Sequence, residues 1–126
     1  MLRRILTVIG GLLNIIWGIA HLLPTNSVVK GFGAISPDNT RIIRMEWINE
    51  GLTLLFIGLL AVLLTITNKD NNTTVKVVLV SCALMLFSMA VLSLFTGFNI
   101  AFLPFRLCPF IFSVSGLLLL QGALRK

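Results

Sequence analysis

The chain has 126 residues, of which 57% are hydrophobic and only 11% charged. An average soluble domain carries about 45–50% and about 25%, and the mean hydropathy here is +1.04. This excludes a soluble globule and a disordered chain, and at this length it leaves one domain and no space for a separate soluble catalytic unit. The net charge of +6 would suggest nucleic acid in a soluble protein. Here the basic residues lie at the ends of apolar runs, where they contact phosphate headgroups and set orientation. No basic patch with interleaved aromatics exists, so membrane lipids are the expected surroundings and nucleic acid is not an expected partner.

Four apolar segments stand out, at 5–23, 43–67, 75–98 and 102–124. Each has the roughly 20 residues needed to cross a hydrocarbon core of about 30 Å. In lipid every backbone polar group must be satisfied within the segment, so the segments are predicted helices. The first follows Arg3 and Arg4. It is longer than the usual apolar region of a signal peptide and has no small-x-small cleavage site, so it reads as a retained helix. Residues 24–36 form the one long connection. With Gly31, Gly33, Val28, Val29 and Phe32 it is expected to lie as a loop on the membrane surface. Ser36-Pro37-Asp38 has the form of an N-cap, a proline at the first helical position and an acid in the first turn. The second helix is therefore predicted over 37–67, starting ahead of its membrane span. Asn68 to Thr74 is a polar hairpin turn. Gly97 is a stop for the third helix, Pro104 a start for the fourth, and Pro109 a potential kink.

Lys and Arg counts give orientation. Arg3, Arg4, Lys69, Lys76, Arg125 and Lys126 fall on one side, and Lys30, Arg41, Arg44 and Arg106 on the other. This asymmetry places both termini in the cytoplasm and the 24–36 loop outside. Small residues recur seven apart: Gly11/Gly18, Gly51/Gly58, Ala83/Ala90/Gly97 and Gly116/Ala123. Such stripes let helices approach closely in a left-handed crossing. The expected fold is all-α, a left-handed up-down-up-down bundle of four transmembrane helices.

Polar residues inside these spans are costly and seldom face lipid. In the first helix Gly11, Asn14, Gly18 and His21 share one stripe bordered by Trp17, so the stripe should face the bundle interior. In the second, Glu46, Glu50 and Thr53 share a face beside Arg44, Trp47 and Asn49. Two carboxylates four apart repel if both are charged, so either one holds a proton or a cation lies between them. Arg44 and Arg106 are candidates. Arg106 sits in the first turn of the fourth helix, where the helix dipole disfavours a cation and a carboxylate would offset it; its alternative is to snorkel to phosphate. The topology brings Asn14, Trp17, His21, Glu46, Trp47, Asn49, Glu50 and Arg106 to the extracytoplasmic half, as a ligand pocket with the two tryptophans as walls. His21 at a helix end can also be interfacial, and the tryptophans can belong to the aromatic belt. Arg41 is expected to be solvated. Cys82, Cys108 and the four methionines are expected to be filler.

An apolar bundle with a few convergent polar groups suits a small amphiphile such as a quinone, a sterol-like molecule or a lipid. His21, Glu46 and Glu50 are the candidates for moving a proton, which leaves enzyme activity open. Sterol isomerases of the emopamil-binding type use similar residue types, but no motif aligns. A second reading is an accessory subunit of a larger membrane complex or a homo-oligomer, with buried charges fixing register. A third is a small proton-coupled transporter. Small multidrug-resistance transporters have a similar length, but their embedded acid lies in the first helix, where this chain has none. Haem is a poor fit with one His, and no metal or other cofactor is implied. The run Gly18-Ile19-Ala20-His21-Leu22-Leu23-Pro24, followed by a loop and a Gly-containing second helix, resembles the DoxX-like group of small four-helix membrane proteins. That resemblance implies the same four-helix plan and, by analogy, quinone-linked chemistry.

Overall fold

A computed structural model describes residues 1–68 and 72–125. Among them are four long helices and one short one: α1 Leu2–Leu22, α2 Thr25–Gly31, α3 Pro37–Thr67, α4 Thr73–Thr96 and α5 Leu103–Leu124. The four long helices are each long and apolar enough to span a membrane, and the chain is an integral, multi-pass membrane protein. Exposure is inverted relative to a soluble bundle. Large apolar side chains such as Ile16, Phe56, Leu84, Leu92 and Phe110 face outward, where lipid satisfies them.

The predicted boundaries are reproduced where they rest on capping chemistry. Ser36 Oγ accepts from the Asn39 amide at 3.1 Å, with Pro37 following it. Asn72 accepts from the Val75 amide at 3.0 Å and opens α4. Gly97 ends α4 with φ −112°, so no left-handed turn is involved. A Cβ there would be a tight fit, 3.2 Å from the Ser93 carbonyl and 3.4 Å from Phe105. Helix α5 continues through Pro109. The expected loop at 24–36 is corrected, because its first half is α2. Val28 and Val29 are buried, and the Thr25 hydroxyl donates to the Leu22 carbonyl at 2.6 Å. One turn of buried valine plus a capped junction holds a helix too short to show a period in sequence. The predicted polar turn is described only at its flanks. Lys69, Asp70 and Asn71, with Lys126, lie outside the described residues, as does the part of the charge count that uses Lys69 and Lys126.

Packing follows the small residues. Helix α1 packs on α3 and on α5, and α5 packs on α4, while α3 and α4 barely touch. Along α1 and α3 the glycines meet in antiparallel order. A Cβ on Gly11 would lie 2.9 Å from the Gly58 carbonyl, and one on Gly18 would lie 3.0 Å from the Gly51 carbonyl. Gly10 rests on Ser115, Leu118 and Leu119 of α5, Gly122 on Thr7 and Arg3, and Gly116 on the Phe87 ring of α4. These neighbours put both termini at one end. There the Arg4 guanidinium donates to the Thr65 carbonyl at 2.8 Å, satisfying an acceptor in the last turn of α3 that has no helical partner. The core of Leu54, Leu86, Phe112 and Leu119 fills the bundle centre.

Candidate functional site

The expected polar residues fall into two groups. The deeper one joins α1 and α5. Asn14 is completely buried, and its Nδ2 donates to Ser115 Oγ and, at 3.0 Å, to the Gly10 carbonyl. Ser115 Oγ donates to the same carbonyl at 2.9 Å. Nδ2 faces a carbonyl oxygen, so the amide orientation is fixed. Among the described residues Asn14 Oδ1 then has no hydrogen-bond partner, and the indole of half-buried Trp17 lies against Cys108. In a membrane core such a knot joins helices that gain no hydrophobic force from one another.

The second group lies one to two turns nearer the α2 end and locks α1 to α3. The rings of His21 and Trp47 stack with centroids 3.7 Å apart at 15°. Trp47 Nε1 donates to the His21 carbonyl at 2.8 Å, and His21 Nε2 lies 3.1 Å from the Trp47 carbonyl. A carbonyl can only accept, so Nε2 carries a proton. The Glu50 carboxylate approaches the same nitrogen at 3.6 Å. That is within ion-pair reach but beyond a good hydrogen bond. Phe105 meets Trp47 edge-on at 5.4 Å. Gly51 permits this arrangement, since a Cβ there would strike Leu22 and lie 3.4 Å from the His21 ring.

Outside this lock, the seam between α3 and α4 opens into a cavity of about 550 Å³. Glu46, Asn49, Glu50 and Thr53 line one wall; Met85, Met89 and Ser93 line the other; Trp47, Phe105 and Cys108 close the base. The Thr53 hydroxyl turns back to the Asn49 carbonyl at 2.8 Å. Of the eight expected pocket residues, four line this cavity: Glu46, Trp47, Asn49 and Glu50. His21 stands behind Glu50, so a ligand would meet the carboxylate and not the imidazole. Asn14 and Trp17 belong to the bundle interior. Arg106 is corrected: it is exposed, and its Nε donates to the Ile100 carbonyl at 3.0 Å. It thereby ties the α4–α5 turn to α5 and does not reach either glutamate. Arg41 pairs with Asp38 in solvent at 3.3 Å, as expected.

Two residues of the site were not among the expected ones. Cys108 lines the cavity, and Ser115 holds Asn14. A signal for both was present: Cys108, Ser115 and Gly122 are small and seven apart, and all three are buried. Among the described residues no group of three or more His, Cys, Asp or Glu side chains is arranged to hold a metal ion. No family model matches the chain, and no curated protein or solved structure matches it at a significant level.

Proposed function

We propose that this membrane protein binds a small amphiphile, of the size of a quinone headgroup, a sterol-like molecule or a single lipid chain, in the α3–α4 seam. The observation that carries the reading is the 550 Å³ cavity with one polar wall at a helix pair that barely touches. Its volume is in the range of small-molecule sites, and an apolar cleft with few polar groups is their usual form. A seam open toward the lipid face admits a ligand from the bilayer, with the apolar part against Met85 and Met89 and the polar end at Glu46, Asn49 and Glu50. The His21–Glu50 contact gives this site a pair able to hold a proton beside the ligand, so proton-linked chemistry or transport is compatible with it. The DoxX-like run Gly18–Pro24 contains His21 and crosses the end of α1, next to this site.

An accessory-subunit role is the second reading, favoured by the same open seam, which a helix of another polypeptide could fill. Native mass spectrometry from mild detergent separates the two. A retained mass of a few hundred daltons, lost in Glu50→Leu with the fold intact, supports the amphiphile. Co-purifying polypeptide at fixed stoichiometry, with no small molecule, supports the subunit. Both termini are proposed to be cytoplasmic. A C-terminal reporter active only in that compartment tests this, and signal from the opposite orientation refutes it.

A further inference from the structure

Resting on the amphiphile reading above, we infer that the ligand of the α3–α4 cavity carries a positive charge at its polar end: a lipophilic amine or quaternary ammonium. The cavity is not neutral. Among the described residues its charged lining groups are Glu46 and Glu50, one helical turn apart on the same wall, and no Lys or Arg lines it. Among the described residues no Lys or Arg lies within ion-pair distance of either carboxylate. The cations that could neutralise them are engaged or directed elsewhere. Arg106 holds the Ile100 carbonyl, Arg41 holds Asp38, and Lys30 and Arg44 are exposed and do not line the cavity. His21 is nearest, but its Nε2–H points at the Trp47 carbonyl, closer than at Glu50, and Glu46 is left without even that contact.

Two carboxylates one turn apart repel when both are charged, and Glu50 is half-buried, so either one takes up a proton or a cation lies between them. A cation between them removes both penalties, while an anionic or neutral headgroup removes neither. The remaining walls suit a soft, weakly hydrated cation. Phe105 and Trp47 are aromatic, and Met85 and Met89 are polarizable thioethers; such surfaces attract ammonium groups. Phe32 and Ile100 also line a second cavity of about 300 Å³, under α2. The two spaces adjoin, which leaves length for an apolar tail.

The test uses the chain in nanodiscs of zwitterionic lipid, with Trp17→Phe as background so that Trp47, in the cavity wall, is the one fluorophore. Two chain-brominated dodecyl probes are compared: one ends in trimethylammonium, the other in the neutral isostere with carbon in place of nitrogen. Both are corrected for partition into empty nanodiscs. The ammonium probe is expected to quench Trp47 at a concentration at least about tenfold lower. That gap should shrink in Glu50→Gln and close in the Glu46→Gln/Glu50→Gln double variant. Equal quenching by the two probes overturns the charge assignment and leaves the amphiphile reading standing. Quenching by neither, above the empty-disc level, overturns both. A gap that survives the double substitution also overturns the assignment, since the cation is then held elsewhere. Glu46 is exposed, so Glu46→Gln alone supplies a folded comparison should Glu50→Gln weaken the bundle.

Discussion

The α1–α3 contact is the joint on which the site depends, and it can be tested at one atom. Replacing Gly58 by Ala adds a Cβ that would lie 2.5 Å from the Gly11 carbonyl and 2.9 Å from the Ile15 amide nitrogen. The Ile15 side chain, 2.7 Å away at Cγ1, can swing aside, but these two neighbours are backbone and cannot. Reaching ordinary contact at 3.4 Å requires the helices to part by about 0.9 Å. Overpacking of this kind costs about 1–3 kcal/mol, against a gain of about 0.5–1 kcal/mol for replacing a mid-helix glycine. The net expectation is a loss centred on about 1 kcal/mol and reaching about 2.5 kcal/mol, which for a soluble domain of this size lowers Tm by up to roughly 10 °C. Cys82 is buried, free and not part of the cavity lining, so with Cys108 replaced by Ala a thiol-reactive dye reports unfolding in detergent without any added label. Gly10→Ala should cost less, because its nearest neighbours are the side chains of Leu118 and Leu119 at 3.1 Å. Gly31→Ala, with nothing within 4 Å, should be neutral. A melting curve of Gly58→Ala superimposed on that of Gly31→Ala would mean that the α1 and α3 backbones are not in contact, and the placement of His21 against Trp47 would fall with them.

Other outcomes follow from single contacts. Trp47→Phe keeps a ring against His21 but removes the donor to its carbonyl, and should cost about 0.5–1.5 kcal/mol; His21→Ala keeps that backbone acceptor but loses both the Nε2 bond to the Trp47 carbonyl and the ring stack, and should cost more, and the reverse order in thermal melts would break the proposed lock. Ser115→Ala strips Asn14 of its interhelical partner and should destabilise by about 0.6 kcal/mol, the average for such bonds in membranes; no change would mean that Asn14 is held by Gly10 alone. Arg106→Ala should leave amphiphile retention in native mass spectra unchanged, because its guanidinium serves the α4–α5 turn. Loss of the retained mass in that variant would return Arg106 to the pocket.

What the sequence made legible was set by local rules. Hydropathy located the four spans. Ser36-Pro37 gave the start of α3 to the residue, because capping needs only the neighbouring backbone. The stripe Gly11, Asn14, Gly18, His21 pointed inward because a membrane helix has few other places for such residues, and all four are buried. Gly11 and Gly18, and Gly51 and Gly58, were visible as pairs along each helix. Their meeting across the seam required the antiparallel register. Arg106 was misplaced for a different reason. A cation in the first turn of a helix does need an acceptor, but the Ile100 carbonyl in the preceding turn is nearer than any carboxylate on another helix. Cys108 carried no signal of polarity, and its place in the cavity comes from the spacing it shares with Ser115.

The open seam itself has a physical origin in how the small residues are divided. The glycines of α3 are used against α1, and the small face of α4, with Ala83, Ala90 and Gly97, is buried inside the bundle. Close approach therefore joins α3 to α1, α1 to α5 and α5 to α4. The fourth side of the ring is left with bulky or polar facing residues: Glu46, Asn49, Glu50 and Thr53 against Met85, Met89 and Leu92. Methionines and glutamates cannot interlock at glycine spacing, so the helices stay apart at this end. The loop between α3 and α4 tethers them only at the other. The cavity is thus the side of the bundle on which the sequence provides no close packing, and it is also the side that carries both glutamates. A variant with Glu46 and Glu50 replaced by Leu and Ala, and Met85 and Met89 by Ala, should draw α3 onto α4. Cysteines placed at positions 49 and 92, which line the cavity and are untouched in that variant, should then cross-link faster than in the parent with the same two cysteines, both with Cys82 and Cys108 replaced by Ser. Equal rates would show that the lining residues do not hold the seam open.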